Sequence, residues 1–138
     1  MKILLVNGVN MATLGTREPS IYGDVTLKEL EKIVTEYAEK KNVEVEYFQS
    51  DIEGEICSKI TTTDCDAIIL NAGAYSHYSI AIRDAVSASQ KPCVEVHISN
   101  LFAREKFRSE SVIAPVTNGV ITGFGIKGYL LAVDYFAL

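Results

Sequence analysis

Residues 2–8, Lys2-Ile-Leu-Leu-Val-Asn-Gly8, decide the architecture. An unbroken run of aliphatic residues stopped by Asn7-Gly8 reads as a strand buried on both faces, which is how strands of parallel sheets are patterned. Such a strand needs helices on either side of it, so strand and helix should alternate along the rest of the chain. Thr26-Leu-Lys-Glu29 is a capping box that opens a helix, with Leu27, Leu30, Ile33, Val34, Tyr37 and Ala38 on one face at helical spacing. Residues 43–48 alternate as a half-exposed edge strand, and 51–61 read as a second helix interrupted by Gly54. Ala67-Ile-Ile-Leu70 is a second buried strand, ending in Asn71-Ala-Gly73. A helix over 77–88, a strand over 93–96, a short helical piece around 103–107 and a strand over 119–122 follow. A final helix carries Tyr129, Leu130, Val133 and Tyr135.

Strands and helices alternating at this pace predict right-handed crossovers and a flavodoxin-like, doubly wound five-stranded parallel sheet, a three-layer α/β/α sandwich. The 138 residues, 48% hydrophobic and 22% charged, suit one globular domain with one core. A formal charge of −5 with no basic stripe argues against nucleic-acid binding, and no apolar run is long enough for a membrane span. With no signal-peptide pattern and three cysteines lacking metal spacing, the expectation is a cytoplasmic protein with buried, reduced Cys57, Cys65 and Cys93.

Ligands of open α/β sheets bind beyond the carboxyl ends of the strands, and the polar residues of this chain collect there. The first strand runs into Asn7 and Asn10, the third into Asn71 and His77, the fourth into Glu95, His97 and Ser99. Both histidines of the chain fall in this zone. Asn7 and Asn71 also fit turn asparagines bonded to local backbone. Glu95, two residues before His97 and on the same strand face, makes that histidine an acid–base candidate instead of a lone core histidine. Arg104 and Arg108 lie one helical turn apart, either on a solvated face or facing substrate, and Asp84 reads equally as a surface charge in mid-helix. Gly123-Phe-Gly125-Ile-Lys-Gly128 spells a dinucleotide fingerprint. Only ten residues remain after it, too few for the second strand and ribose-binding acid, so the glycines read as allowing close helix packing.

The stretch 14–24, Leu-Gly-Thr-Arg-Glu-Pro-Ser-Ile-Tyr-Gly-Asp, is broken by Gly15, Pro19 and Gly23 and carries Arg17 and Tyr22. It reads either as a mobile surface loop or as a hinged lid. On a lid closed against water, Arg17 beside Tyr22 would favour the charged form of the phenol and make it a base.

Asn7-Gly-Val-Asn-Met-Ala-Thr-Leu-Gly-Thr-Arg-Glu-Pro-Ser-Ile-Tyr-Gly23, the segment 71–85 (NAGAYSHYSIAIRDA), 95–108 (EVHISNLFAREKFR) and the closing 111–132 occur in an order and spacing that resemble type II 3-dehydroquinate dehydratase of the shikimate pathway, over about residues 2–135. The resemblance implies a single catalytic domain dehydrating 3-dehydroquinate through an enolate by anti elimination, without metal, cofactor or Schiff base. By it, Tyr22 is the base, Arg17 its activator and transition-state stabiliser, Asn10 the holder of an enolate-stabilising water, His97 the acid and Glu95 its tuner. Asn71, His77 and Arg108 would bind substrate hydroxyls, Arg104 would add positive charge, and the N–H groups of Ile98 and Ser99 would take the carboxylate. Asp84 would reach a neighbouring subunit's site in a dodecamer built from trimers. Met11 stands where the family usually has leucine and Asp51-Ile52 where Asn-His is commoner; Val9 stands where it usually has proline, so a less rigid loop around Asn10 is expected from that position. A phosphoacceptor receiver would need acids after the first strand, and a flavodoxin a Ser/Thr-rich phosphate loop. A silent binding homologue would be expected to lose Tyr22, Arg17 or His97.

Overall fold

A computed structural model describes all 138 residues. The strands β1 (Lys2–Asn7), β2 (Glu44–Gln49), β3 (Ala67–Asn71), β4 (Cys93–His97) and β5 (Gly119–Thr122) form one parallel sheet in the order β2-β1-β3-β4-β5. This is the doubly wound order expected, with β2 and β5 at the edges and β4 between β3 and β5. The helices are a single turn α1 (Pro19–Tyr22), α2 (Leu27–Glu39), α3 (Glu53–Thr62), α4 (Ile80–Ser89) and α5 (Lys127–Ala137).

Alternate strand residues feed opposite layers. Ile3, Leu5, Ile69, Val94 and Val96 pack with Leu30 and Val34 of α2 and Tyr129, Ala132 and Val133 of α5. Leu4, Val6, Ile68 and Leu70 pack with Ile56 and Ile60 of α3 and Ile82 and Val86 of α4. Because strand side chains alternate with a period of two, continuous apolar runs are what a sheet covered on both faces requires.

The capping box at α2 forms as read: Glu29 N–H donates to Thr26 Oγ1 and Thr26 N–H to Glu29 Oε2, both at 3.2 Å. Gly54 lies in the first turn of α3 and does not interrupt it. Three expectations need correction. The helix expected from residue 77 starts at Ile80, because Ser79 Oγ caps the Ile82 N–H at 3.0 Å and residues 73–77 form a separate 3-10 turn. The helical piece expected over 103–107 is two 3-10 turns, Leu101–Ala103 and Lys106–Ser109, with Arg104 extended between them. The stretch 14–24 is not wholly irregular: Pro19, whose ring presets a helical φ, opens the single turn α1.

Gly128 has the packing role expected of it. A Cβ there would meet Val96 Cγ1 at 3.3 Å and Ile121 Cγ2 at 3.4 Å, so α5 rests directly on β4 and β5. All three cysteines are free; Cys65 and Cys93 are buried, whereas Cys57 is half-buried on α3.

Candidate active site

The order of strands reverses between β1 and β3, and a cavity of about 190 Å³ opens there at their carboxyl ends. Ten of the twelve residues singled out from sequence line it: Asn10, Arg17, Tyr22, Asn71, His77, His97, Ile98, Ser99, Arg104 and Arg108. Glu95 lies behind His97, fully buried, and Asp84 is exposed on α4, outside the cavity. Three arginines and no carboxylate line this space in a chain of net charge −5, so it is built for an anion. Arg108 is partly neutralised by an ion pair from its Nε to Glu105.

The first strand delivers Asn10 in a left-handed conformation, φ 67°. Its backbone is tied on both sides, the N–H to Asp51 Oδ1 at 2.9 Å and the carbonyl by the Thr13 hydroxyl at 2.7 Å. Asp51 therefore anchors the loop that Val9 was expected to loosen. Asn71 serves two purposes. Its Oδ1 accepts the Gly73 N–H at 3.1 Å, as a turn asparagine does, and its Nδ2 donates to the Tyr129 hydroxyl at 2.8 Å. That hydroxyl donates in turn to Asn7 Oδ1 at 2.6 Å, so Asn7 is a partner of α5 and not a local turn residue. Burial pushes the Tyr129 phenol far above its usual range, which keeps it a donor.

The lid folds over the cavity. Arg17 Nη2 donates to Tyr22 Oη at 3.4 Å, and its guanidinium lies 4.7 Å from the ring centre. A closer cation comes from elsewhere: Arg104 Nη1 donates to Tyr22 Oη at 2.8 Å and to Ser99 Oγ at 3.2 Å. Arg104, read from sequence as general positive charge, is thus the nearest partner of the phenol and ties the lid to the loop after β4. Being extended between two turns, and not on a helix with Arg108, is what lets it reach across.

On the opposite wall, His97 Nε2 and Glu95 Oε2 are 2.8 Å apart. The carboxylate can only accept, so Nε2 carries the proton and Nδ1 is the nitrogen without a protein partner. His77 is the reverse. Its Nδ1 lies 2.7 Å from the Glu110 carbonyl and must donate to it, leaving Nε2 for the cavity. The two rings stack with centres 6.3 Å apart. Beyond β4, the N–H groups of Ile98 and Ser99 donate to no acceptor in the chain, an arrangement suited to an anionic oxygen.

Sequence reading missed Ser111, whose hydroxyl donates to Glu95 Oε1 at 2.8 Å, as well as Asp51 and the polar role of Tyr129. No local signal marks any of them, because each acts on a residue distant in sequence. The one group of three potential metal donors, Glu46, Asp64 and Cys65, lies outside the cavity, and Lys2 and Lys59 pair with its carboxylates.

The description "Dehydroquinase class II" belongs to a family model that matches residues 1–137. A 3-dehydroquinate dehydratase from a Nitratiruptor species is 51% identical over 134 residues, covering 96% of this chain and 86% of that protein. The crystal structure of type II dehydroquinase from Butyrivibrio crossotus superposes with a TM-score of 0.96 at 48% identity, over 100% of this chain and 98% of that one. That of the type II dehydroquinase from Propionibacterium acnes gives 0.95 at 43% identity, over 99% and 95%.

Proposed function

This chain belongs to the class II dehydroquinase family, and we propose that it acts as one catalytic domain dehydrating 3-dehydroquinate to 3-dehydroshikimate by anti elimination through an enolate. The observation that carries the reading is the Tyr22 hydroxyl under two guanidinium groups, at 2.8 and 3.4 Å, facing the His97–Glu95 pair across one cavity. A phenol titrates near 10 in water and is a poor base at neutral pH. Two guanidinium groups at hydrogen-bond range set opposite charge beside that oxygen, the electrostatic support a phenolate base requires.

In the reaction, Tyr22 takes the proton beside the ketone and the C–H electron pair passes into the enolate. A water held by Asn10, whose side chain is free because its backbone is tied, stabilises the enolate oxygen. The enolate then re-forms the ketone as the carbon–oxygen bond breaks, and the leaving hydroxyl departs as water with the proton of His97 Nδ1. Glu95 stabilises the imidazolium through Nε2–H. The unpaired N–H groups of Ile98 and Ser99 receive the substrate carboxylate, with Arg104 nearby, while Asn71, His77 and Arg108 hold hydroxyls. No step calls for a metal, a cofactor or a lysine Schiff base.

The exposed position of Asp84 on α4 suits the role of reaching a neighbouring subunit, and we place the enzyme in the cytoplasm as a dodecamer built from trimers; solution mass and the loss of substrate affinity in Asp84→Ala test this. The central test is enone formation from 3-dehydroquinate, followed by ultraviolet absorbance. Activity should survive EDTA, and it should survive borohydride added with substrate. Tyr22→Phe should lower kcat by at least about a hundredfold; a fully active Tyr22→Phe sinks the assignment.

A further inference from the structure

Glu95 is the only acidic residue buried in the fold, with none of its surface exposed. Its two oxygens have different partners: Oε2 takes the Nε2–H of His97 at 2.8 Å, and Oε1 takes the hydroxyl of Ser111, also at 2.8 Å. The direction of that hydroxyl is not free. Ser111 Oγ accepts the N–H of Ile113 at 3.2 Å and of Ala114 at 3.0 Å. Both lone pairs of the oxygen are then occupied, and its single proton has only Glu95 to go to.

We propose that Ser111 is a positioning residue for the acid half of the reaction, holding Glu95 as an anionic acceptor so that His97 keeps its proton on Nε2 and offers Nδ1 to the leaving group. The inference rests on the reading of His97 as the acid. A donor aimed at a buried carboxylate favours its ionised form. Without Ser111, Oε1 loses its only protein donor, and Glu95 is a poorer acceptor for the Nε2–H of His97. The imidazolium that must deliver a proton to the substrate is then depleted. The other titratable groups near the pair are Cys93, buried two residues before Glu95 on the same strand face and raised further by its charge, His77, stacked on His97, and Tyr22, Arg17, Arg104 and Arg108 around the cavity; no hydrogen bond joins any of them to Oε1.

The same geometry separates glutamate from glutamine. In Glu95→Gln the amide must turn its oxygen to Ser111 and its NH2 to His97, because Ser111 has no lone pair left for an N–H. His97 Nε2 then becomes an acceptor and the ring is held as neutral imidazole, a far weaker acid than imidazolium. Removing Ser111 frees that amide to turn round.

The experiment measures kcat, KM and the pH profile for Ser111→Ala and Ser111→Thr, each in the wild-type and Glu95→Gln backgrounds, with His97→Ala as control. Ser111→Ala should lower kcat about ten- to a hundredfold, the equivalent of a lost hydrogen bond to a charged group, with KM little changed. Ser111→Thr, which keeps the hydroxyl, should retain most activity. In the Glu95→Gln background Ser111→Ala should cost nothing more. Unchanged kcat in Ser111→Ala, or an equal loss in both backgrounds, overturns the proposal. A fully active His97→Ala would instead remove the acid assignment on which it stands. Should Ser111→Ala fail to fold, nitrogen-15 spectra of the wild-type enzyme decide. Of its two histidines, neutral His97 should show the Nε2–H tautomer, and an Nδ1–H form overturns the proposal.

Discussion

Replacing Gly8 by alanine should damage stability and catalysis together. Gly8 follows β1 at the register where Asn7 faces Asn71 of β3, and its N–H donates to the Asn71 carbonyl at 2.7 Å. A Cβ at Gly8 would stand 2.6 Å from the Ala72 carbonyl oxygen and 2.8 Å from its carbon. Ordinary contact begins near 3.4 Å, so the two strand ends must part by about 0.8 Å. The obstacle is backbone held in a ladder, so relief by rotamer change is closed. Overpacking of this kind costs about 1–3 kcal/mol, and a rigid neighbour places it at the upper end. The weakened hydrogen bond adds about 1 kcal/mol, offset by a similar gain from the stiffer unfolded chain. A loss of about 3 kcal/mol corresponds to roughly 10 °C in Tm for a domain of this size. The displaced loop carries Asn10 and the opposing strand end carries Asn71, so kcat should fall about ten- to a hundredfold, as misplacements approaching an ångström do. Thermal melts by circular dichroism and enone formation well below Tm measure both. Gly54→Ala is the control, since its Cβ meets nothing within 4 Å on a helix; it should gain about 0.5–1 kcal/mol. Wild-type Tm in Gly8→Ala refutes the packing argument, and lowered Tm with unchanged kcat refutes the link from strand spacing to the site.

Arg104→Gln should lower kcat about tenfold, because a charge-assisted bond to the phenol is lost at a partly exposed site, and should speed proteolysis at the lid; unchanged kcat would return the activating role to Arg17 alone. Ser76 is fully buried and its hydroxyl has no partner, so Ser76→Ala should hold or raise stability by about 1 kcal/mol, and a fall in Tm would reveal a missed partner. Burial pushes the Cys93 thiol up to about 12 and raises that of half-buried Cys57. The thiolate is the reactive form, so reactivity stays low at pH 8 and rises with pH. A thiol reagent should label at most Cys57 in the native protein and all three cysteines after unfolding; rapid native labelling of Cys93 would contradict its burial.

The aliphatic runs at 3–6 and 67–70, the capping box at Thr26 and the helical stripe behind it were enough to read a doubly wound parallel sheet, because burial on both faces and 3.6-residue periodicity leave a local imprint. The same pattern placed Asn10, Asn71, His77, His97 and Ser99 at one edge; Arg17 and Tyr22 were legible from the lid motif, while Ile98 and the roles of Arg104 and Arg108 came only with the family resemblance. Those signals say which face a residue occupies, not which residue meets it there. Arg104 reaches Tyr22 across 82 positions of sequence, Ser111 reaches Glu95 across 16, and Tyr129 joins Asn7 and Asn71 from the last helix. Such pairings depend on how closely α5 sits on the sheet over Gly128, on Asp51 holding the Asn10 loop, and on a break between two turns that frees Arg104. Periodicity records the environment of each segment. The distances between segments, on which proton transfer and charge stabilisation depend, arise only when the layers pack.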